Sequence, residues 1–247
     1  MKTKVCMIAV MMMGLAAAQA AEVDLTVDFA SAYVFRGVTL NRDAVMQPGL
    51  EVTGLPIAER FGEFAVGTWA NFDLSSGGSD YGLAQNQFSE IDYYGDYSLP
   101  LEVVDLGMVY TEYTYPNSED SADRELAVYV GKDVLDTGLY VEASANYGLA
   151  GGVTKDWYLQ AGLEYGVDLL PNVLSASVGA GVGYLVQDDG PNGWHDGIFS
   201  ADLGYALAEN LSVNLALMHI VQLDSDVLMD ENYDRSTVGM AGLNLSF

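Results

Sequence analysis

The sequence predicts an all-β protein: a transmembrane up-and-down antiparallel β-barrel of about twelve strands. Three observations carry this reading. Apolar and polar residues alternate with a period of two, in segments about ten residues long. The connections between segments are alternately short and long. The alternation also runs to the last residue, in GMAGLNLSF, where most domains end in a polar tail.

Residues 1–20 read as a secretory signal peptide. Lys2 and Lys4 precede the apolar run VCMIAVMMMGLAAA, and AQA stands before Ala21. The run is shorter than the ~20 residues a spanning helix needs. The mature domain is then 21–247. The single cysteine, Cys6, falls in the leader, so the domain can form no disulfide, thiolate metal site or cysteine nucleophile.

The first strand is read from VDLTVDFASAYVF. One face is Val23, Leu25, Val27, Phe29, Ser31, Tyr33 and Phe35; the other is Asp24, Thr26, Asp28, Ala30, Ala32, Val34 and Arg36. Further strands are expected near 44–54, 63–73, 88–99, 104–115, 124–131, 139–147, 156–166, 174–185, 197–207, 211–221 and 235–247. The fifth would put Glu112 on its apolar face, so a bulge or an early end is expected there. Connections such as PLEV, VDLLPN and AEN are short; LSSGGSDYGLAQNQ, QDDGPNGWHD and QLDSDVLMDENYD are long and polar. An even strand count brings both termini to the short-turn, periplasmic side of an outer membrane. Phe29/Tyr33/Phe35, Tyr93/Tyr97, Trp157/Tyr165 and Phe199/Tyr205 are expected to form interfacial girdles in lipid and lipopolysaccharide.

A barrel has no free edge, so its last strand must pair with its first. Leu243, Leu245 and Phe247 would face lipid on that closing strand. They also resemble the C-terminal signature of bacterial outer-membrane proteins, which implies the barrel assembly machinery as a partner.

The chain has 9 Lys plus Arg against 35 Asp plus Glu, a formal net charge of −26. Nucleic-acid binding, which needs cations to displace phosphate counterions, is excluded. Disorder is opposed by 16 Tyr and 8 Phe. The alternation turns Asp24, Asp28, Glu51, Glu63, Asp73, Glu90, Asp92, Asp96, Asp105, Glu125, Glu142, Glu164 and Asp202 inward, with Arg36 among them. Twelve tilted strands set opposite backbones roughly 24 Å apart. The expected lumen is narrow and lined by carboxylates, which favours cations. Arg36 has two readings, a transverse field at a constriction or a structural ion pair near the outer rim. Gly179, Gly181 and Gly183 leave a bare wall, either for a solute or for neighbouring bulk such as Trp69 or Tyr158.

The stretch SAYVFRGVTLNRDAVMQPGLEV (31–52) resembles the opening of the TorF-type porins, a family of bacterial outer-membrane β-barrels. The residues that carry this are Ser31, Tyr33, Phe35, Arg36, Gly37 and Thr39. VGTWANFD (66–73), SEIDYYGDYSL (89–99), DLGMVYTEYTYP (105–116) and ELAVYVG (125–131) resemble its later strands. The insertion around 77–87 departs from that pattern. The resemblance implies a porin without naming its solute. Oligogalacturonate porins share the strand count, but their lumens are expected to be basic.

An outer-membrane lipid hydrolase is a distant alternative. His195 lies in an expected loop, and His219 lies on the lipid side near Ser225, without a matching nucleophile spacing. Asp224, Asp226, Asp230, Glu231 and Asp234 do not match a calcium-loop spacing. No cofactor or metal is expected. The expected activity is passive diffusion of small, cationic or neutral solutes. The alternative is a non-conducting structural or loop-display barrel.

Overall fold

The computed structural model describes residues 21–55, 59–75 and 86–247. The leader 1–20 and nearly all of the 77–87 insertion lie outside the described residues. The fold is a closed antiparallel barrel of twelve strands. They are β1 (Glu22–Ala30), β4 (Val45–Thr53), β5 (Glu63–Asp73), β6 (Gln87–Ser98), β7 (Asp105–Thr114), β8 (Asp123–Asp133), β9 (Leu139–Ala150), β10 (Trp157–Leu170), β11 (Leu174–Val186), β12 (Gly193–Ala208), β13 (Leu211–Gln222) and β14 (Thr237–Ser246). Two short strands, β2 (Tyr33–Phe35) and β3 (Val38–Asn41), form a separate two-stranded sheet.

β1 pairs with β4 across the intervening hairpin, each later barrel strand pairs with the next, and β14 closes on β1 with Leu243 opposite Val27 and Leu245 opposite Leu25. Phe247 extends that seam, its N–H donating to the Val23 carbonyl at 3.0 Å. The β14 ladder thereby gives the first strand its second partner and closes the barrel.

The outer face is apolar. Leu25, Leu50, Val128, Leu163, Val178 and Leu217 are exposed on it, and Phe29, Tyr93, Trp157, Tyr165, Phe199 and Tyr205 stand among them. This is the surface a lipid-embedded barrel presents. Glu112 does face outward, but β7 has no bulge there. Its charge is met by Arg124 on β8 at 3.0 Å.

The inner face is built on a repeated device. A tyrosine lies flat across a glycine of the next strand, and its hydroxyl donates to a carboxylate one strand further. Tyr94 crosses Gly67 to Glu51 at 2.9 Å, and Tyr129 crosses Gly107 to Asp96 at 3.2 Å. Tyr140 crosses Gly131 to Asp105 at 3.0 Å, and Tyr158 crosses Gly183 to Asp196 at 2.8 Å. At each of these glycines a Cβ would lie 1.9–2.2 Å from the tyrosine. The glycine supplies the space, and the phenol satisfies a carboxylate that has left bulk water. The room at Gly183 is thus taken by Tyr158.

Replacing Gly67 with Val is expected to lift Tyr94 from the wall and lower stability by about 1–3 kcal/mol. Gly95→Ala is the control, because its new methyl would meet Phe64 at an ordinary 3.5 Å; it should shift stability by less than about 0.5 kcal/mol. Urea unfolding of both variants in phospholipid vesicles measures the difference.

Candidate functional site

The first strand stops at Ala30, six residues short of the stretch its alternation covers. Ser31 still holds the rim, since its N–H reaches the Gly239 carbonyl at 2.9 Å and its hydroxyl accepts from Gly239 N–H. The chain then turns into the barrel as the β2–β3 hairpin. Arg36 and Gly37 form its two-residue turn, both at positive φ, 49° and 81°. That backbone twist suits a tight hairpin and disfavours any residue with a Cβ. Gly37 is needed on a second count: a Cβ there would lie 2.8 Å from Cβ of Asp196 and 3.0 Å from Leu228. The tip therefore rests against β12.

This corrects three expectations. Arg36 is not on the first strand but at a hairpin tip. Tyr33 and Phe35 are not in a girdle; Tyr33 is buried and both pack inside. Alternation alone could not reveal the change, because a hairpin folded inward keeps a period of two.

The hairpin has two unlike sides. Val34 and Leu40 pack on an apolar cluster of Ala30, Ala32, Val45, Ile198, Ile220 and Val238, which Tyr33 and Phe35 also join. The other side is aromatic and charged. Tyr33 donates to Glu90 at 3.0 Å and packs on Trp69, with ring centroids 5.4 Å apart. Phe35 meets Tyr113 at 5.9 Å. Arg36 makes a two-pronged pair with Glu125, Nη1 to Oε1 at 2.8 Å and Nη2 to Oε2 at 2.7 Å. Its guanidinium sits 4.7 Å from the Phe35 ring and 4.5 Å from the Tyr158 ring. Tyr113 also donates to Glu125, at 3.0 Å. Glu125 lies on β8, nearly across the ring from β1, so the tip spans the lumen.

Two bulges aim wall residues at this hairpin. In β6 the register shifts so that Ser89 and Glu90 are both buried. In β12 it shifts so that His195 and Asp196 are both buried. Bulges of this kind re-aim side chains. His195 was expected in a loop; it lies at the start of β12, with Nδ1 2.9 Å from the Asp196 oxygen that Tyr158 also reaches. The hairpin base is held by Asn41 donating to Asp73 at 2.7 Å. Thr39 accepts the N–H groups of Asp234 and Arg235, so the 223–236 loop closes over the hairpin.

The acids expected inside lie on the inner face by register. Glu90, Asp92 and Glu125 are buried around the hairpin. Asp28 lies two residues from the rim end of β1, opposite Gln47, and Glu51, Glu63, Asp105, Glu142, Glu164 and Asp202 line the half nearer the termini. There, a small open recess is lined by Glu142, Gly162, Glu164, Gly179, Gly181 and Ser200. The tyrosines and glycines that pair with the acids were missed; tyrosines on the polar face beside strands with glycines were the available signal. His219 faces outward, its Nδ1 3.0 Å from Thr237 Oγ1. Among the described residues no group of three or more His, Cys, Asp or Glu is placed to hold a metal ion.

Residues 15–216 match Gcw_chp, described as a bacterial protein of unknown function. The chain belongs to that family. Its match takes in the hairpin and all but the last strands of the barrel. None of the curated protein sequences matches the chain. Among solved structures it is similar to the KdgM porin, at 11% identity and a TM-score of 0.54, covering 92% of this chain and 99% of that one. It is similar to the COG4313 outer membrane channel from Pseudomonas putida F1, at 11% identity and 0.55, covering 94% and 97%. It is also similar to outer membrane phospholipase A from Escherichia coli, at 13% identity and 0.51, covering 91% and 92%. At such identities the likeness is one of fold, and this fold carries channels and a hydrolase alike.

Arg36→Met is expected to leave the Glu125 carboxylate buried with only a phenol donor, lowering stability by about 3 kcal/mol; Glu125→Gln should cost a similar amount. The two losses should fall well short of additive in a double-mutant cycle, read by urea unfolding in vesicles. Additive losses would mean that the pair is not coupled.

Proposed function

We propose that this barrel is an outer-membrane channel for small solutes, cation-preferring, and closed at its long-loop end by the hairpin. The observation that carries this is the arrangement inside the wall. An acid-lined lumen runs from the termini to a hairpin held partly by ionic and phenolic contacts, which can exchange. Carboxylate-lined walls favour cations and repel anions. One structural neighbour was solved with oligogalacturonate, an acidic sugar; the acidic wall here argues against an anionic solute.

The resemblance of 31–131 to TorF-type porins falls inside the family match and supports the same reading. In this reading residues 1–20 are the export signal and the termini lie in the periplasm. The long loops face lipopolysaccharide, and Leu243, Leu245 and Phe247 engage the assembly machinery. Catalysis forms no part of it: His219 is bonded to a threonine rather than poised beside a nucleophile.

A second reading, a non-conducting barrel, is favoured by the hairpin's apolar side, which packs as a small core. Single-channel current in a planar bilayer with a KCl gradient separates the two. The protein with 33–41 replaced by a Gly-Ser linker should show frequent steps and a reversal potential favouring K⁺. Neutralising Glu51, Glu142 and Glu164 to glutamine should weaken that preference. Anion preference would overturn the acidic-wall mechanism. Silence from the folded, hairpin-less barrel would establish the non-conducting reading.

A further inference from the structure

The pocket that holds Arg36 belongs to the wall. Glu125 comes from β8, Tyr113 from β7, Tyr158 from β10 and Asp196 from β12; the hairpin adds only Phe35 and the arginine itself. Each wall group is fixed independently of the hairpin. Tyr113 holds Oε2 of Glu125, which sets the carboxylate. Tyr158 lies against Gly183 and is tied to Asp196, so its ring is a rigid platform. The result is a carboxylate with both oxygens presented edge-on and an aromatic face 4.5 Å from the cation. Two parallel hydrogen bonds and a stacking surface select a planar, delocalised, weakly hydrated cation. An ammonium, a hydrated point charge, can use only part of this site, and K⁺ even less.

We propose that Arg36 is an internal stand-in for the solute: the wall site recognises small guanidinium-bearing cations, which compete with Arg36 for Glu125 and release the hairpin tip. This rests on the channel reading and gives it a substrate class. Arg36 is the accessible member of the pair, with 17% of its side chain exposed against 7% for Glu125. A tethered competitor has an effective concentration in the millimolar range. A free solute must therefore match both prongs of the Glu125 carboxylate and the Tyr158 face to compete. A small molecule with an unhindered guanidinium at one end fits that demand.

The test uses agmatine, which carries a guanidinium and an ammonium, against putrescine, which carries two ammonium groups. The folded barrel is held in lipid nanodiscs and binding is measured by calorimetry. Arg36→Ala should bind agmatine at least tenfold more tightly than putrescine, and at least tenfold more tightly than the wild type does. Adding Glu125→Gln should abolish the preference. Equal affinities in Arg36→Ala, or a preference that survives Glu125→Gln, would overturn the site. Should the alanine variant fail to fold, Arg36→Lys keeps one charge on the hairpin with a single-point contact, and must show the same tenfold gain over wild type. In planar bilayers, millimolar agmatine should raise wild-type opening at least tenfold over putrescine. Selective binding by a barrel that passes no current in any variant leaves the guanidinium site standing and overturns the channel reading; current without selective binding does the reverse.

Discussion

A carboxylate turned into a closed barrel must find a donor, because the wall strips it of most of its water. Much of the interior of this protein follows from that constraint, although Asp92 Oδ1 and Asp202 Oδ2 are buried without a protein donor among the described residues. Four acids are met by tyrosines that cross a glycine, and a fifth, Glu125, is met by Tyr113 and an arginine delivered on a hairpin. Reaching two strands away needs a long, rigid donor and a strand between with no side chain. Tyrosine and glycine are the residues that supply these. The same geometry keeps the phenols against the wall.

The lumen is also two-sided. Acids and tyrosines dominate the arc from β6 to β10, while Ile198, Ile220 and Val238 form an apolar patch on β12 to β14 beside His195 and Asp196. The hairpin matches this asymmetry, with Val34 and Leu40 on one side and Tyr33 and Arg36 on the other. Its apolar side gives it a fixed seat. Its charged side ends in contacts that a competing ion can replace. A segment with both properties can close a passage and still be released, since polar exchange costs far less than extracting a packed core.

Two of the β-bulges, at Ser89–Glu90 and His195–Asp196, occur where the wall meets this hairpin. They break the period of two so that adjacent residues both face inward. Asp196 thereby supports Tyr158, and Tyr158 supports the Arg36 guanidinium. The binding geometry at the tip is thus a property of the barrel's register as much as of the side chains.

The sequence by itself determined the barrel, the strand order, the apolar outer face and the inward acids, because a strand's two faces are written in neighbouring residues. Tertiary structure alone decided what fills the barrel. In SAYVFRGVTLN the pattern still alternates, yet the segment folds inward, where only a glycine fits at position 37 against Asp196 and Arg36 finds its partner 89 positions away. The partner of Tyr158 was equally hidden: a bulge in β12 turned Asp196 to the inside. Local periodicity records which face a side chain takes. Which strands stand two apart in a closed ring, and what lies across it, depends on closure, and closure is a property of the whole chain.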